Sequence, residues 1–257
     1  MNMIGVQGYT LRDYIGTREE FAETLSKIRK LGYTCLDHGI PAEMTAGEYK
    51  ELLKEKDIKP LKVGGEVYEI LKNPSATIKD ARELGVDLVA VLSIPKAMRY
   101  GEEGYHKFAA DLNTAAAILK KEGLRTAYHT HAFEFCSFGG YNGMDIILNE
   151  TENAEIVPDT HWIAAGGLNP PDFIRRLAGR CTQIHFKDYG IDARTEILEN
   201  VPRIYSEVGQ GNLNWPEIAK ACRETGIRTF LVEQDTCKVD PFTSLEISFK
   251  AIKELGL

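Results

Sequence analysis

Short runs rich in β-branched and aromatic residues alternate with longer amphipathic stretches along the whole chain. The runs predicted as strands are Met3 to Tyr9, Thr34 to Asp37, Ile58 to Val63, Leu88 to Leu92, Leu124 to His129, Glu155 to Asp159, Gln183 to Lys187 and Thr229 to Glu233. Between them, Phe21, Leu25, Ile28 and Leu31 keep helical spacing and close at Gly32, a residue suited to the left-handed conformation that ends a helix. Ala115 to Leu119 closing at Gly123, and Ile218 to Cys222 closing at Gly226, repeat this grammar. Thr17 and Glu20 have capping-box spacing, and Asn169-Pro170-Pro171 sets a cap before prolines that fit a first helical turn. Eight strand–helix units in 257 residues predict an α/β fold, a single (β/α)8 TIM barrel. No Pro/Gly/Ser-rich linker divides the chain, so residues 1–257 are expected to form one domain. A doubly wound nucleotide-binding sheet is disfavoured, because Gly5-Val6-Gln7-Gly8 after the first strand lacks the GxGxxG turn.

A barrel carries its chemistry at the C-terminal ends of its strands. Those ends hold Gln7 and Tyr9, Asp37-His38, Tyr128-His129-Thr130-His131-Ala132-Phe133-Glu134-Phe135, Asp159-Thr160-His161-Trp162, His185-Phe186-Lys187-Asp188 and Glu233-Gln234-Asp235. Five of the six histidines fall in this set. Strand alternation puts His129 with His131, His185 with Lys187, and Glu233 with Asp235 on common faces. A single histidine or carboxylate here is more often bonded to loop backbone than functional, but four strands ending alike outweigh that reading. Carboxylates with imidazole make an oxygen-rich site that favours Mn²⁺ or Mg²⁺ and tolerates Co²⁺ or Zn²⁺. Such an ion polarises a hydroxyketone and acidifies the adjacent C–H, which a carboxylate can deprotonate.

Taken in order, the fifth- to eighth-strand motifs above, with Glu207-Val208-Gly209-Gln210-Gly211-Asn212-Leu213-Asn214-Trp215, resemble the sugar phosphate isomerase/epimerase family with its xylose-isomerase-like barrel. Gly5-Val6-Gln7 and Gly32-Tyr33 fit too, so the resemblance runs nearly end to end. It implies a divalent ion held by Glu134, Asp159, His185 and Glu233. Relatives carry the fifth-strand glutamate inside the strand, nearer His129, which leaves two arrangements open. Either Glu134 is the ligand, or His129 faces the ion while Glu134 grips substrate hydroxyls. Thr130 stands where relatives usually have Asn, Asp37-His38 where Glu is frequent, and Gln210 where an acid is common.

The activity expected from these residues is a metal-dependent isomerisation or epimerisation of a sugar, ketose or cyclic polyol through an enediolate. Glu233 is the expected base, with His131 or Glu134 as partner acid; an imidazole at His131 would titrate near neutrality. Lys187, His129, Gln7, His38 and Trp162 are candidate substrate contacts, although ordinary core packing competes for Trp162 and Phe133. A lyase or dehydratase acting on a keto-sugar or keto-inositol would use the same site, and a barrel that only binds a sugar would dispense with the ion. The segment from Tyr189 to Gly211 is long for a simple connection and is expected to form a lid or partner contact.

Composition narrows the partners. Lys plus Arg total 31 against 38 Asp plus Glu, and this net charge of −7 disfavours nucleic acid, including the reaction of DNA-repair nucleases that share the barrel. No run is long enough to span a membrane, and strand-like sequence begins almost at Met3, so the expected compartment is the cytoplasm. Homo-oligomerisation is compatible with these features. The five scattered cysteines, without any CxxC, read as packing residues of a reducing compartment and not as disulfides or zinc ligands.

Overall fold

The structure, a computed structural model, describes residues 2–196 and 202–257. The first half runs β1 (Met3–Gln7), α1 (Arg18–Leu31), β2 (Cys35–Asp37), α2 (Ala46–Glu55), β3 (Lys59–Pro60), β4 (Val63–Gly64), α3 (Val67–Lys72), α4 (Ser75–Leu84), β5 (Leu88–Val91) and α5 (Glu102–Lys121). The second continues with β6 (Arg125–His129), α6 (Gly143–Glu150), β7 (Ala154–Val157), α7 (Thr160–Ala165), α8 (Pro170–Arg176), β8 (Gln183–Phe186), β9 (Asp188–Ile191), β10 (Arg203–Ser206), α9 (Trp215–Thr225), β11 (Thr229–Val232) and α10 (Pro241–Glu254). Strand order is β3-β2-β1-β11-β8 in one sheet and β4-β5-β6-β7 in another, all parallel. The sheets are the two parts of one (β/α)8 barrel.

The sheets meet at two joints. Between β7 and β8 a single parallel bridge joins Asp159 to His185, with His185 N donating to Pro158 O at 2.9 Å. The other joint falls inside the predicted strand Ile58 to Val63, which is two short pieces instead of one. β3 pairs with β2 and β4 with β5, and Pro60, which has no N–H for a ladder, ends the first piece. The sequence pattern also passed over the antiparallel hairpin of β9 and β10 inside the long Tyr189 to Gly211 segment. Part of that segment, 197–201, lies outside the described residues.

Local chemistry sets the helix ends as the pattern indicated. Thr17 and Glu20 form both halves of the capping box of α1, and Gly32 closes it at φ 107°. Asn169 precedes α8 with proline in its first turn, although its side chain makes no cap bond. Apolar residues divide into a large shell between strands and helices, including Leu25, Phe108, Ile156 and Phe230, and a small cluster of Leu88, Ala127 and Val157. All five cysteines are free; Cys35, Cys181 and Cys222 are buried as the sequence suggested, whereas Cys136 is exposed.

Gly5 shows how closely the strands pack. A Cβ there would stand 2.5 Å from Cys35 Sγ and 2.8 Å from Leu231 Cδ2, on the strands either side. Gly5→Ala is therefore expected to lower unfolding free energy by about 1–3 kcal/mol through overpacking, as a reduced urea midpoint at unchanged slope. An unchanged midpoint would show that the strands can part without cost.

Candidate active site and metal centre

One layer of inward-pointing side chains at the barrel mouth carries the charge. His129 ends β6, Asp159 follows β7, His185 lies on β8 and Glu233 follows β11. All four are buried, and one ligand atom from each lies within 4.8 Å of the others. Asp159 caps α7: its Oδ1 accepts from the backbone N–H of His161 at 2.8 Å and Trp162 at 3.0 Å. Oδ2 is left buried without a hydrogen-bond partner, as is Nε2 of His129, 3.8 Å away. Thr130 Oγ1 accepts from Asp159 N at 3.2 Å and so fixes the start of this cap.

Cations interleave with the carboxylates. Lys187 Nζ lies 2.6 Å from Asp235 Oδ1, 3.2 Å from Glu233 Oε1 and 3.8 Å from Asp159 Oδ2. The rings of Trp162 and Tyr205 stand 4.9 Å and 5.4 Å from the same ammonium, a cation–π setting. Tyr205 comes from the β9–β10 hairpin, so that segment furnishes part of the mouth. His185 Nδ1 is 2.6 Å from Glu233 Oε2, while its Nε2 is 3.4 Å from Asp37 Oδ2. On the far side of Asp37, Lys62 Nζ is 3.0 Å from Oδ1, and both residues are buried.

These neighbours set the ionisation states. Burial alone would depress His185, but Asp37 and Glu233 raise it to about 9, so it is an imidazolium in the metal-free chain. Burial would raise Glu233, yet Lys187 and His185 hold it well below the usual carboxylate range. Asp159 is raised by burial against the opposing pull of Lys187. His129 is pushed down to about 3 by burial and the neighbouring His185 charge. His131 also falls to about 3, by burial and by His129, so the expectation that it titrates near neutrality is corrected: it is a neutral imidazole. Its ring stacks on Phe133 at 5.0 Å and stands 4.8 Å from His129.

Glu134 departs from the ligand set that the resemblance implied. It lies in a 3-10 turn beyond β6, where its carboxylate accepts the Tyr128 hydroxyl and, at 2.8 Å, the His131 N–H. The four-donor group contains His129 in its place, because His129 is on the strand and Glu134 is anchored behind it. His38 is turned outward by alternation, on the Leu36 face of β2, and packs on Gly8 and Phe21. Gln7 uses its Oε1 to cap the turn after β1 by accepting from Tyr9 N. The residues that sequence reasoning missed are Asp37 and Lys62. Alternation from Cys35 marks Asp37 as inward, whereas nothing local marks Lys62.

Two motifs of the resemblance prove to be one device. Asp188 accepts from Gly209 N at 3.1 Å, Gly211 N at 3.0 Å, Leu213 N at 3.4 Å and Trp215 Nε1 at 2.5 Å, wrapping the loop before α9 around one buried carboxylate. A Cβ on Gly211 would collide with Asp188, which explains that glycine.

The family model described as xylose isomerase-like TIM barrel matches residues 25–254. The chain belongs to that family. A sugar phosphate isomerase/epimerase of Parabacteroides distasonis superposes with a TM-score of 0.79 at 20% identity, covering 98% of this chain and 93% of that one. An L-ribulose 3-epimerase superposes at 0.72 and 16% identity, covering 100% and 95%. A zinc-bound IolI protein does so at 0.73 and 16%, covering 99% and 98%. At these identities the likeness establishes the xylose isomerase-like fold and not an activity. No curated protein matches the sequence. Among the described residues no helix is long and apolar enough to cross a membrane.

Glu134 supplies a pH test outside the four-donor group. Burial raises its carboxyl to about 7 from an ordinary value of 4.5. Folding therefore takes up a proton between those values, and its contribution to stability falls as pH rises from about 4.5 to 7. The total change is on the order of 3 kcal/mol. The stability difference between Glu134→Gln and wild type should thus move in favour of the variant across this window, measured by denaturant unfolding at pH 5 and pH 8. A pH-independent difference would place an ionised Glu134 in the folded chain throughout.

Proposed function

We propose that this barrel is a metal-dependent isomerase or epimerase acting on a sugar, ketose or cyclic polyol. The observation that carries the reading is the convergence of His129, Asp159, His185 and Glu233, in which His129 Nε2 and Asp159 Oδ2 are buried without a hydrogen-bond partner. Leaving such atoms unmatched is costly, and a cation is the partner that satisfies them together. With His129 in place of a carboxylate, two imidazoles and two carboxylates favour Zn²⁺, Co²⁺ or Mn²⁺ over the Mg²⁺ that an acid-rich set would take. The zinc carried by the IolI neighbour accords with this preference.

A bound divalent ion would supply Lewis-acid polarisation of adjacent substrate oxygens. The chain supplies the rest. Glu233 is ionised and takes the proton from the carbon beside the carbonyl. Lys187 donates to a substrate oxygen as negative charge develops, and Trp162, Tyr205 and Phe133 wall the mouth against bulk water. His131, whose Nδ1 has no partner, offers a neutral ring to a second hydroxyl. Return of the proton by Glu233 to the neighbouring carbon gives isomerisation, whereas epimerisation needs a protonated group on the opposite face of that carbon.

The test is solvent-exchange mass spectrometry on a panel of ketoses, keto-acids and inosose-type polyols, using metal-stripped and Zn²⁺-, Co²⁺- or Mn²⁺-loaded protein. Metal-dependent entry of one deuterium beside the carbonyl supports the reading. Product NMR separates isomers from a dehydrated product, the outcome that a dehydratase would give. No exchange with any metal on any class would overturn it.

A further inference from the structure

We propose that Asp37, held in place by Lys62, is the positioning residue that fixes the tautomer and rotation of His185, presenting Nδ1 to the four-donor group. The inference rests on reading that group as a metal site. His185 is bracketed: Nδ1 faces Glu233 Oε2 at 2.6 Å, and Nε2, otherwise without a hydrogen-bond partner, faces Asp37 Oδ2 at 3.4 Å. An imidazole that gives its Nδ1 lone pair to a cation keeps its one N–H on Nε2, where a carboxylate can accept it. Asp37 is the acceptor beside Nε2, so it holds the ring with Nδ1 turned toward Glu233 and the four-donor group. This carboxylate–imidazole arrangement orients a ligating histidine and raises its basicity.

Lys62 explains why Asp37 stays where it is. Its ammonium lies 3.0 Å from Asp37 Oδ1, and the two side chains are 3% and 2% exposed. A buried ion pair is a weak source of stability, since both charges lose their water. Its value here is geometric. Lys62 lies in the break between β3 and β4, next to the strand that carries Asp37. The break lets this side chain reach across to Asp37, and the pair fixes which carboxylate oxygen meets His185. Asp37 sits on β2 and Lys62 beyond β3, so the side of the barrel that gives no ligand would still govern the ligand set.

The experiment measures Zn²⁺ affinity of metal-stripped protein by chelator competition, and the His185 tautomer by long-range ¹H–¹⁵N spectra of the Zn²⁺-loaded protein. Asp37→Asn and Lys62→Met are each expected to weaken Zn²⁺ binding by about 10- to 100-fold. Wild type is expected to show a protonated Nε2 and a metal-bound Nδ1 at His185. His185→Ala and Asp159→Ala test the underlying reading, and wild-type affinity in both would mean that the metal site itself is misassigned. Loss in those two, with wild-type affinity in Asp37→Asn and Lys62→Met, would overturn the positioning role alone. The spectrum of the wild-type protein decides independently of whether any variant folds: a proton on Nδ1 with Nε2 bound to zinc overturns the proposal.

Discussion

Glu233→Gln is expected to lower the rate of metal-dependent proton exchange by about 10²- to 10⁴-fold, the usual range for removing a positioned general base. The substitution keeps the size of the side chain and removes its charge. In the folded chain Glu233 is bound on one oxygen by His185 and on the other by Lys187, so its orientation is set before substrate arrives. An amide in its place can still accept from Lys187 but cannot take up a proton. Because one donor of the four-residue group also changes, exchange must be measured at saturating Zn²⁺ with metal content assayed in the same sample. Cys136→Ala and Cys237→Ala are controls: both thiols are free, and neither is among the four donors. Comparable losses in a cysteine variant and in Glu233→Gln would indicate nucleophilic chemistry and remove Glu233 from its role.

The second large effect concerns stability. Lys187 is 1% exposed and neutralises Asp159, Glu233 and Asp235. Lys187→Met keeps most of the aliphatic stem and removes the cation shared by buried Asp159 and Glu233 and half-buried Asp235. Breaking a buried ion pair in this way costs about 3–5 kcal/mol. For a protein of this size the melting temperature of the metal-free variant should fall by roughly 10 °C relative to metal-free wild type. A divalent ion supplies positive charge to the same oxygens and binds the folded state only, so Zn²⁺ should raise the variant's melting temperature more than the wild type's. Equal metal-free melting temperatures would show that the carboxylates discharge by protonation instead of relying on Lys187.

How much of this was legible in the sequence follows from the range of the forces involved. Strand positions and helix ends were readable because they depend on neighbours: Thr17 with Glu20, or Gly32 after Leu31, need nothing beyond their own turn. The split third strand was not, since Ile58 to Val63 has a continuous strand-like pattern and only the positions of β2 and β5 show that its halves pair in different sheets. Asp159, His185 and Glu233 could be named from their place after apolar strands. Of the two fifth-strand arrangements left open, the four-donor group contains His129, a matter of distance that spacing does not encode, because the chain leaves β6 and turns Glu134 back onto Tyr128. Choosing His38 over Asp37 was a different error, for Leu36 is apolar and alternation already sends His38 to its side. Lys62 was out of reach: lysine is rarely buried unless paired, and its partner lies on another strand.

The joint between β7 and β8 makes the four donors a clasp. His129 and Asp159 belong to the half of the barrel containing β6 and β7, and His185 and Glu233 to the half containing β8 and β11. On this side the one β-bridge lies at Asp159 and His185, which are themselves two of the donors, and one further main-chain bond runs from Ile156 N to Arg180 O at 2.8 Å. Neither half holds the complete set, so closing the barrel and assembling the four-donor group are one event. Ligand spacing is then a gauge of how tightly the halves meet. A substitution far from the mouth that eases them apart would detune the centre while leaving every one of its side chains in place.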